Sequence, residues 1–224
     1  MLTQEHARLL VAGADCFGLT LSATEVDRFA LYIEELQRWS RIADLVARTD
    51  PAIVIRKHLL DSLAIVPLIS SPGRLLDLGS GAGFPGLVLA IMRPAQEVAL
   101  LEARRKRASF LRAAARRVQA DNVSIYEGRV ETFAEEVALQ SAFTAVITRA
   151  TWSIGKFLAF AEPFVAAEGV ALAMRGPQGI GETIKDFAET ESFRLQNVHE
   201  YVLPFGEEKR QAFVYEKFAK ERFT

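Results

Sequence analysis

Four glycines and two acids pose the first chemical question. The stretch LLDLGSGAGFPGLVLAI, residues 75–91, sets Asp77, Gly79, Gly81 and Gly83 at a D-x-G-x-G-x-G spacing. It also sets Gly81, Gly83 and Gly86 at G-x-G-x-x-G. The second spacing belongs to dinucleotide folds and hydride transfer, the first to S-adenosylmethionine (SAM) and methyl transfer. Either loop uses glycine to turn tightly and let backbone approach a ligand. Gly86, after Pro85, suits a loop that ends in a helix N-terminus. Glu102 follows Gly81 by 21 residues, and a carboxylate there can accept from both hydroxyls of a ribose. That serves NAD and SAM alike. Asp77 separates them: a carboxylate at the end of the first strand suits the ammonium of SAM's methionine and offers a pyrophosphate nothing. The alternative is that Asp77 merely caps the loop by bonding its backbone N–H groups, which fits either ligand.

These residues need a scaffold that gathers them. Before the loop the chain reads as helical. Ser22-Ala23-Thr24-Glu25 is a capping box, with Val26, Phe29, Ile33 and Leu36 following at helical spacing. Asp50-Pro51 opens a second helix, AIVIRKHLLDSLAIVPLI. After a break at Ser71-Pro72-Gly73 come five short apolar runs, at 74–79, 97–102, 122–127, 143–148 and 169–174, alternating with helical patterns. That alternation predicts a parallel sheet covered on both faces. Two strand-like runs, FRLQNVHEYVLP and RQAFVYEKF, then close the chain around FGEEK with no helix between. A parallel core closed by an antiparallel hairpin is the plan of class I methyltransferases and unusual for a simple dinucleotide domain. The expected architecture is α/β and Rossmann-like, a mostly parallel seven-stranded sheet. Residues 1–72 form a helical extension on a core at 73–224, in one compact domain overall.

Composition narrows the classes. At 224 residues, half hydrophobic and a quarter charged, the chain suits one well-packed globule. Its one cysteine, Cys16, allows no internal disulfide and no cysteine-based metal framework, which points to a reducing cytoplasm. No apolar run approaches the roughly 20 residues of a membrane span, and no signal peptide is expected. Net charge is −1, yet residues 104–117 hold seven basic residues and no acid. On a helix, Arg105, Arg112 and Arg116 fall within about 40° of one another, a stripe that could follow RNA phosphates or simply be a solvated face.

The segments RWS (38–40), IRKHLLDSL (55–63), LLDLGSGAGFPG (75–86), LLEARRKRASFL (100–111), GRVETF (128–133), ITRA (147–150) and MRGP (174–177) together carry a resemblance. In type and order they resemble the bacterial RsmG (GidB) family, which methylates N7 of a guanine in 16S ribosomal RNA. Two places depart from the family pattern. Asp44-Leu45-Val46 stands where Asn-Leu-Thr is common, and Arg175-Gly176 where Lys-Gly is. The resemblance implies SAM as methyl donor, no metal, 16S rRNA or the small subunit as partner, no membrane, a monomer, and a cytoplasmic setting. It implies that Gly79 and the loop hold the methionine end, with Phe84 at the loop's far side. Glu102 takes the ribose and Val130-Glu131 meet the adenine. Arg149 faces the methionine carboxylate or the incoming base. Arg175 keeps the positive charge of the family's lysine and is a candidate phosphate or RNA contact.

Guanine N7 already carries an in-plane lone pair and no proton, so the chemistry asks for alignment rather than a general base. No catalytic residue is therefore singled out with certainty; Arg149, Asp61 and His58 are positioning candidates. His58, Asp61 and Ser62 share a helix face, as an interhelical hydrogen-bond cluster also would. Glu131 and Asp61 could stabilise the cationic product. Trp152 is either a stacking residue or structural, Trp39 packs in the core, and His6, His199 and Cys16 read as structural. The alternatives are a methyltransferase for another RNA or a small molecule, an NAD(P) oxidoreductase, and an RNA-binding module without catalysis.

Overall fold

A computed structural model describes residues 3–69, 73–149, 151–176 and 189–218. Ser71-Pro72 of the expected break, Ala150 and Pro177 of the family segments, and residues 182–188 of an acidic stretch lie outside the described residues. Helix α1 (Gln4–Asp15) starts at a capping box that the sequence reading missed: Thr3 Oγ1 accepts from the His6 amide, and the His6 ring from Thr3. Helix α2 (Ala23–Trp39) starts at the expected box, Glu25 accepting from the Ser22 amide at 2.7 Å.

The segment expected as one helix from Pro51 is instead divided. A short α3 (Pro51–Val54), capped by Asp50, runs into a π-helical turn at Ile55–Leu59, then α4 (Leu60–Leu63) and a 3-10 turn at Val66–Leu68. A π turn holds one residue more than an α turn and locally breaks the 3.6-residue period.

The sheet comprises β1 (Leu75–Leu78), β2 (Val98–Glu102), β3 (Val123–Glu127), β4 (Phe143–Arg149), β5 (Val165–Arg175), β6 (Phe193–Val202) and β7 (Lys209–Lys217). Its order is β3-β2-β1-β4-β5-β7-β6, with only the β5–β7 and β7–β6 pairs antiparallel. Helices α5 (Gly86–Met92), α6 (Arg105–Arg117), α7 (Val130–Phe133) and α8 (Ile154–Ala161) form the crossovers.

Strand alternation divides the core. Leu75, Leu100, Ala145 and Ile147 pack toward α1, α2, α5 and α6, whereas Leu76, Leu101, Val146 and Phe213 pack toward α8. The central strands are buried on both faces, so their run of apolar residues carries no polar alternation. The order reverses between β2-β1 and β4, and this is where a ligand crevice opens at the carboxyl ends of the strands. Among the described residues no helix is long and apolar enough to cross a membrane.

Candidate functional site

The glycine loop leaves β1 at this crevice. Gly79, Gly81 and Gly83 all have positive φ, +69°, +57° and +86°, which bulkier residues adopt at a cost. At Gly83 space is also decisive, because a Cβ would lie 2.8 Å from the Tyr32 hydroxyl. That hydroxyl donates to the carbonyl of Ala82, fastening the loop to α2.

Asp77 requires a correction. Its carboxylate is 0% exposed and lies beneath the loop, where Oδ2 accepts from the Gly86 amide at 2.9 Å. It does not line the crevice, so no ammonium meets it there; the loop-capping alternative describes its position. Burial pushes this carboxyl up to about 7, with the Gly86 amide and then Arg149 opposing the rise. The distinction between SAM and NAD drawn from Asp77 therefore has no footing in the site.

Glu102 does stand at the crevice. Its Oε2 accepts from the Gly81 amide at 2.9 Å and its Oε1 from the Arg104 amide at 2.7 Å. Two backbone donors thus fix the carboxylate, and each oxygen keeps a lone pair for a ligand hydroxyl. The cavity it borders has a volume of about 360 Å³, within the range of small-molecule sites. Gly79, Val130 and Glu131 line it as expected positions, at the ends of β1 and β3. Gly81, Gly83 and Phe84 do not; they shape and back the loop.

Sequence reasoning missed the far wall. Trp152 and Phe160 line the cavity and meet edge to face at 5.3 Å between ring centres, with the Lys156 ammonium 5.3 Å over Phe160. Their i, i+8 spacing at and along α8 reads as an ordinary apolar face; only the position after β4 hinted at a ligand. Arg104, Arg107 and Arg129 add positive charge to the rim.

Arg149 requires a second correction. It shares strand parity with Ala145 and Ile147, so it points toward the N-terminal helices and is not among the residues lining the cavity. Its guanidinium lies 3.4 Å from Asp61 Oδ2, 3.2 Å from His58 Nδ1 and 5.0 Å from the centre of the Phe84 ring. A guanidinium only donates, so His58 Nδ1 accepts and its ring proton sits on Nε2. His58 stacks on Phe84 at 5.1 Å and 22°. Burial, then Arg149, lowers its pKa to about 3, so the ring stays neutral. Asp61 Oδ1 accepts from the Tyr201 hydroxyl at 2.8 Å and lies 3.6 Å from Arg210 Nε. The structure thus gathers His58, Asp61, Phe84 and Arg149 into one buttress behind the loop, with Tyr201 and Arg210 of the hairpin added. Ser62 turns instead to the carbonyl of His58.

The basic candidates separate as well. Arg105 and Arg116 are exposed on α6, whereas Arg112 pairs with Glu127 at 2.8 Å. Arg175 is 5% exposed and donates to the backbone carbonyls of Trp152 and Met174, which withdraws its guanidinium from a surface phosphate contact. No group of three or more His, Cys, Asp or Glu among the described residues is placed to hold a metal ion.

A model of the rRNA small subunit methyltransferase G family, GidB, matches residues 25–214. The chain belongs to this family. The ribosomal RNA small subunit methyltransferase G of Methylobacillus flagellatus is 41% identical over 75% of this chain and 79% of its own. That of Syntrophus aciditrophicus is 34% identical over 95% and 90%. Among solved structures, the TYW2 protein of M. jannaschii in complex with AdoMet superposes with a TM-score of 0.54 at 16% identity, over 73% of this chain and 76% of that one. The GidB match covers both the crevice and the buttress, so the two are features of one family fold.

Proposed function

We propose that this chain transfers a methyl group from SAM to N7 of a guanine in 16S ribosomal RNA. Its partner is then the small ribosomal subunit or an assembly intermediate of it. One observation carries the reading: Glu102, fixed by the Gly81 and Arg104 amides, borders the cavity in a chain of the GidB family. SAM, when bound, supplies a methyl on a sulfonium that a lone pair can displace directly. Everything else falls to the chain's own residues. Glu102 accepts from the ribose hydroxyls, the backbone from Gly79 onward turns around the methionine end, and Val130-Glu131 border the adenine side. Trp152 and Phe160 supply an apolar wall that keeps water from the methyl. Guanine N7 has nothing to deprotonate, so holding donor and acceptor about 3–3.5 Å apart and in line is the catalytic task. His58 fits this division of labour: neutral, stacked and bonded to Arg149, it steadies the loop instead of moving a proton.

The free cysteine and the nature of the substrate support a cytoplasmic setting. A monomer is supported by the large apolar side chains exposed among the described residues, Ile42, Val137, Val202 and Phe205, most of which stand apart on separate loops and turns.

The test is to incubate the protein with methyl-labelled SAM and 16S rRNA lacking the modification, both naked and within small subunits, and to map the label. Label at one guanine N7 is expected. Label on other molecules only, or a cavity that takes nicotinamide dinucleotides and not SAM, would sink the reading.

A further inference from the structure

We propose that the groove between the Ser40–Asp44 turn and the first turn of α6 seats the sugar-phosphate backbone of a single RNA strand beside the cofactor cavity. This rests on the rRNA reading above and assigns the contact to residues that reading leaves open. The groove is lined by Arg41, Arg104, Arg105, Lys106 and Arg107, with Asp44 as the one acid on its walls. Arg41, Arg104, Arg105 and Lys106 are exposed and form no ion pair with a described acid. The walls are fixed: Arg107 donates from Nε at 2.9 Å and Nη2 at 2.6 Å to the Asp44 carbonyl, across 63 residues of sequence.

Placement of these charges breaks a local rule. Cations belong at helix C-termini, yet this cluster occupies the positive end of α6, where the first turn has no acid and no side chain caps the helix. A helix accepts such an arrangement at a loss unless an anion sits against it, and rules broken without local gain mark function. The other half of α6 behaves oppositely. Arg112 is paired with Glu127 and Arg117 with Glu34, so the stripe expected from the sequence is largely neutralised.

Two features select a nucleic-acid strand over another polyanion. Ile42, 57% exposed, stands in the same groove and offers an apolar contact to an unstacked base or a sugar between phosphates. Arg104 and Arg107 line both this groove and the cofactor cavity, so a strand held here leads directly to the place where methyl transfer is proposed.

The experiment compares two variants of the whole chain. Arg41→Ala/Arg105→Ala/Lys106→Ala should bind unmodified 16S rRNA at least ten-fold more weakly at low salt. Its slope of log affinity against log salt should flatten by about 0.7 for each single-strand phosphate that the variant no longer neutralises. Arg112→Ala/Arg116→Ala should keep the wild-type slope. SAM affinity, measured by calorimetry, should be unchanged in both, and Arg41→Lys/Arg105→Lys should restore the slope. A triple variant with the wild-type slope, equal losses in the two variants, or preferential competition by polyglutamate over single-stranded RNA would each overturn the assignment. The same measurement with a generic RNA oligonucleotide keeps this result separate from the methylation reading, which fails only if the wild-type protein places no label on rRNA.

Discussion

The two sides of the glycine loop are built from similar residue types and do opposite work. On the crevice side, Glu102 is held by backbone amides yet open to a ligand, and the wall is Trp152 and Phe160. On the helical side, Phe84, His58, Arg149 and Asp61 satisfy one another, and Tyr32 and Asp77 hold the loop from within. A charged or aromatic residue next to a ligand motif is therefore as apt to support the loop as to touch the ligand. The facing of each side chain, more than its type, separates the two roles. Mutations on the helical side should register as stability, and those on the crevice side as ligand affinity.

Phe84→Ala should break the buttress most severely. It empties a buried ring site and removes the stacking surface of His58, Tyr32 and Arg149. A cost of about 4 kcal/mol is expected, read as a fall in Tm of roughly 8–16 °C. Glu102→Ala should do the reverse. Losing two hydrogen bonds to a charged acceptor weakens SAM binding by about 100-fold in calorimetry, with a smaller change in Tm than Phe84→Ala. Unchanged SAM affinity would reject the ribose assignment. Tyr32→Phe should cost about 1.5 kcal/mol, since it leaves the buried Ala82 carbonyl without its donor, and lower Tm by roughly 3–6 °C.

The smallest effects concern pH and have opposite signs. His58 titrates near 6.5 when unfolded and about 3 when folded, so between these values the unfolded chain binds more protons. Its contribution makes stability rise with pH across that window. Asp77 titrates near 3.8 unfolded and about 7 folded, so the folded chain holds the extra proton and stability falls as pH rises from 4 to 7. The two slopes offset each other in the native protein. Urea unfolding between pH 4 and 7 should show stability falling with pH in His58→Phe and rising in Asp77→Asn. Parallel slopes in the two variants would show that these groups are not the ones titrating.

Much of the fold was legible in the sequence because it depends on local pattern. All seven strands lie where the apolar runs and the closing hairpin put them, and the caps at Ser22 and Asp50 form as their side chains allow. Glu102 was legible because position at the end of β2 decides what it can reach. Asp77 was not: every residue of β1 is buried, so the run LLDL carries no alternation to say which way the acid points. Arg149 could have been placed by counting parity from Ala145 and Ile147, a signal present but outweighed by its position at a strand end. The basic groove joins residues 40–44 to 104–107, and no local pattern links segments so far apart. The π turn was hidden because the hydrophobic spacing on either side of it suits an ordinary helix.

That turn makes the chain intolerant of a length change at one spot. Deleting any single residue from 55–59 would let the backbone relax to ordinary winding, and everything downstream would rotate by about 100° relative to Val54. Either Val54 and Ile55 or Leu59, Leu60 and Leu63, all fully buried, would then swing into solvent, and Asp61 would lose its hold on the hairpin. The odd residue in this coil thus acts as a reading frame for the loop's support: side chains may vary around it, but its count is fixed.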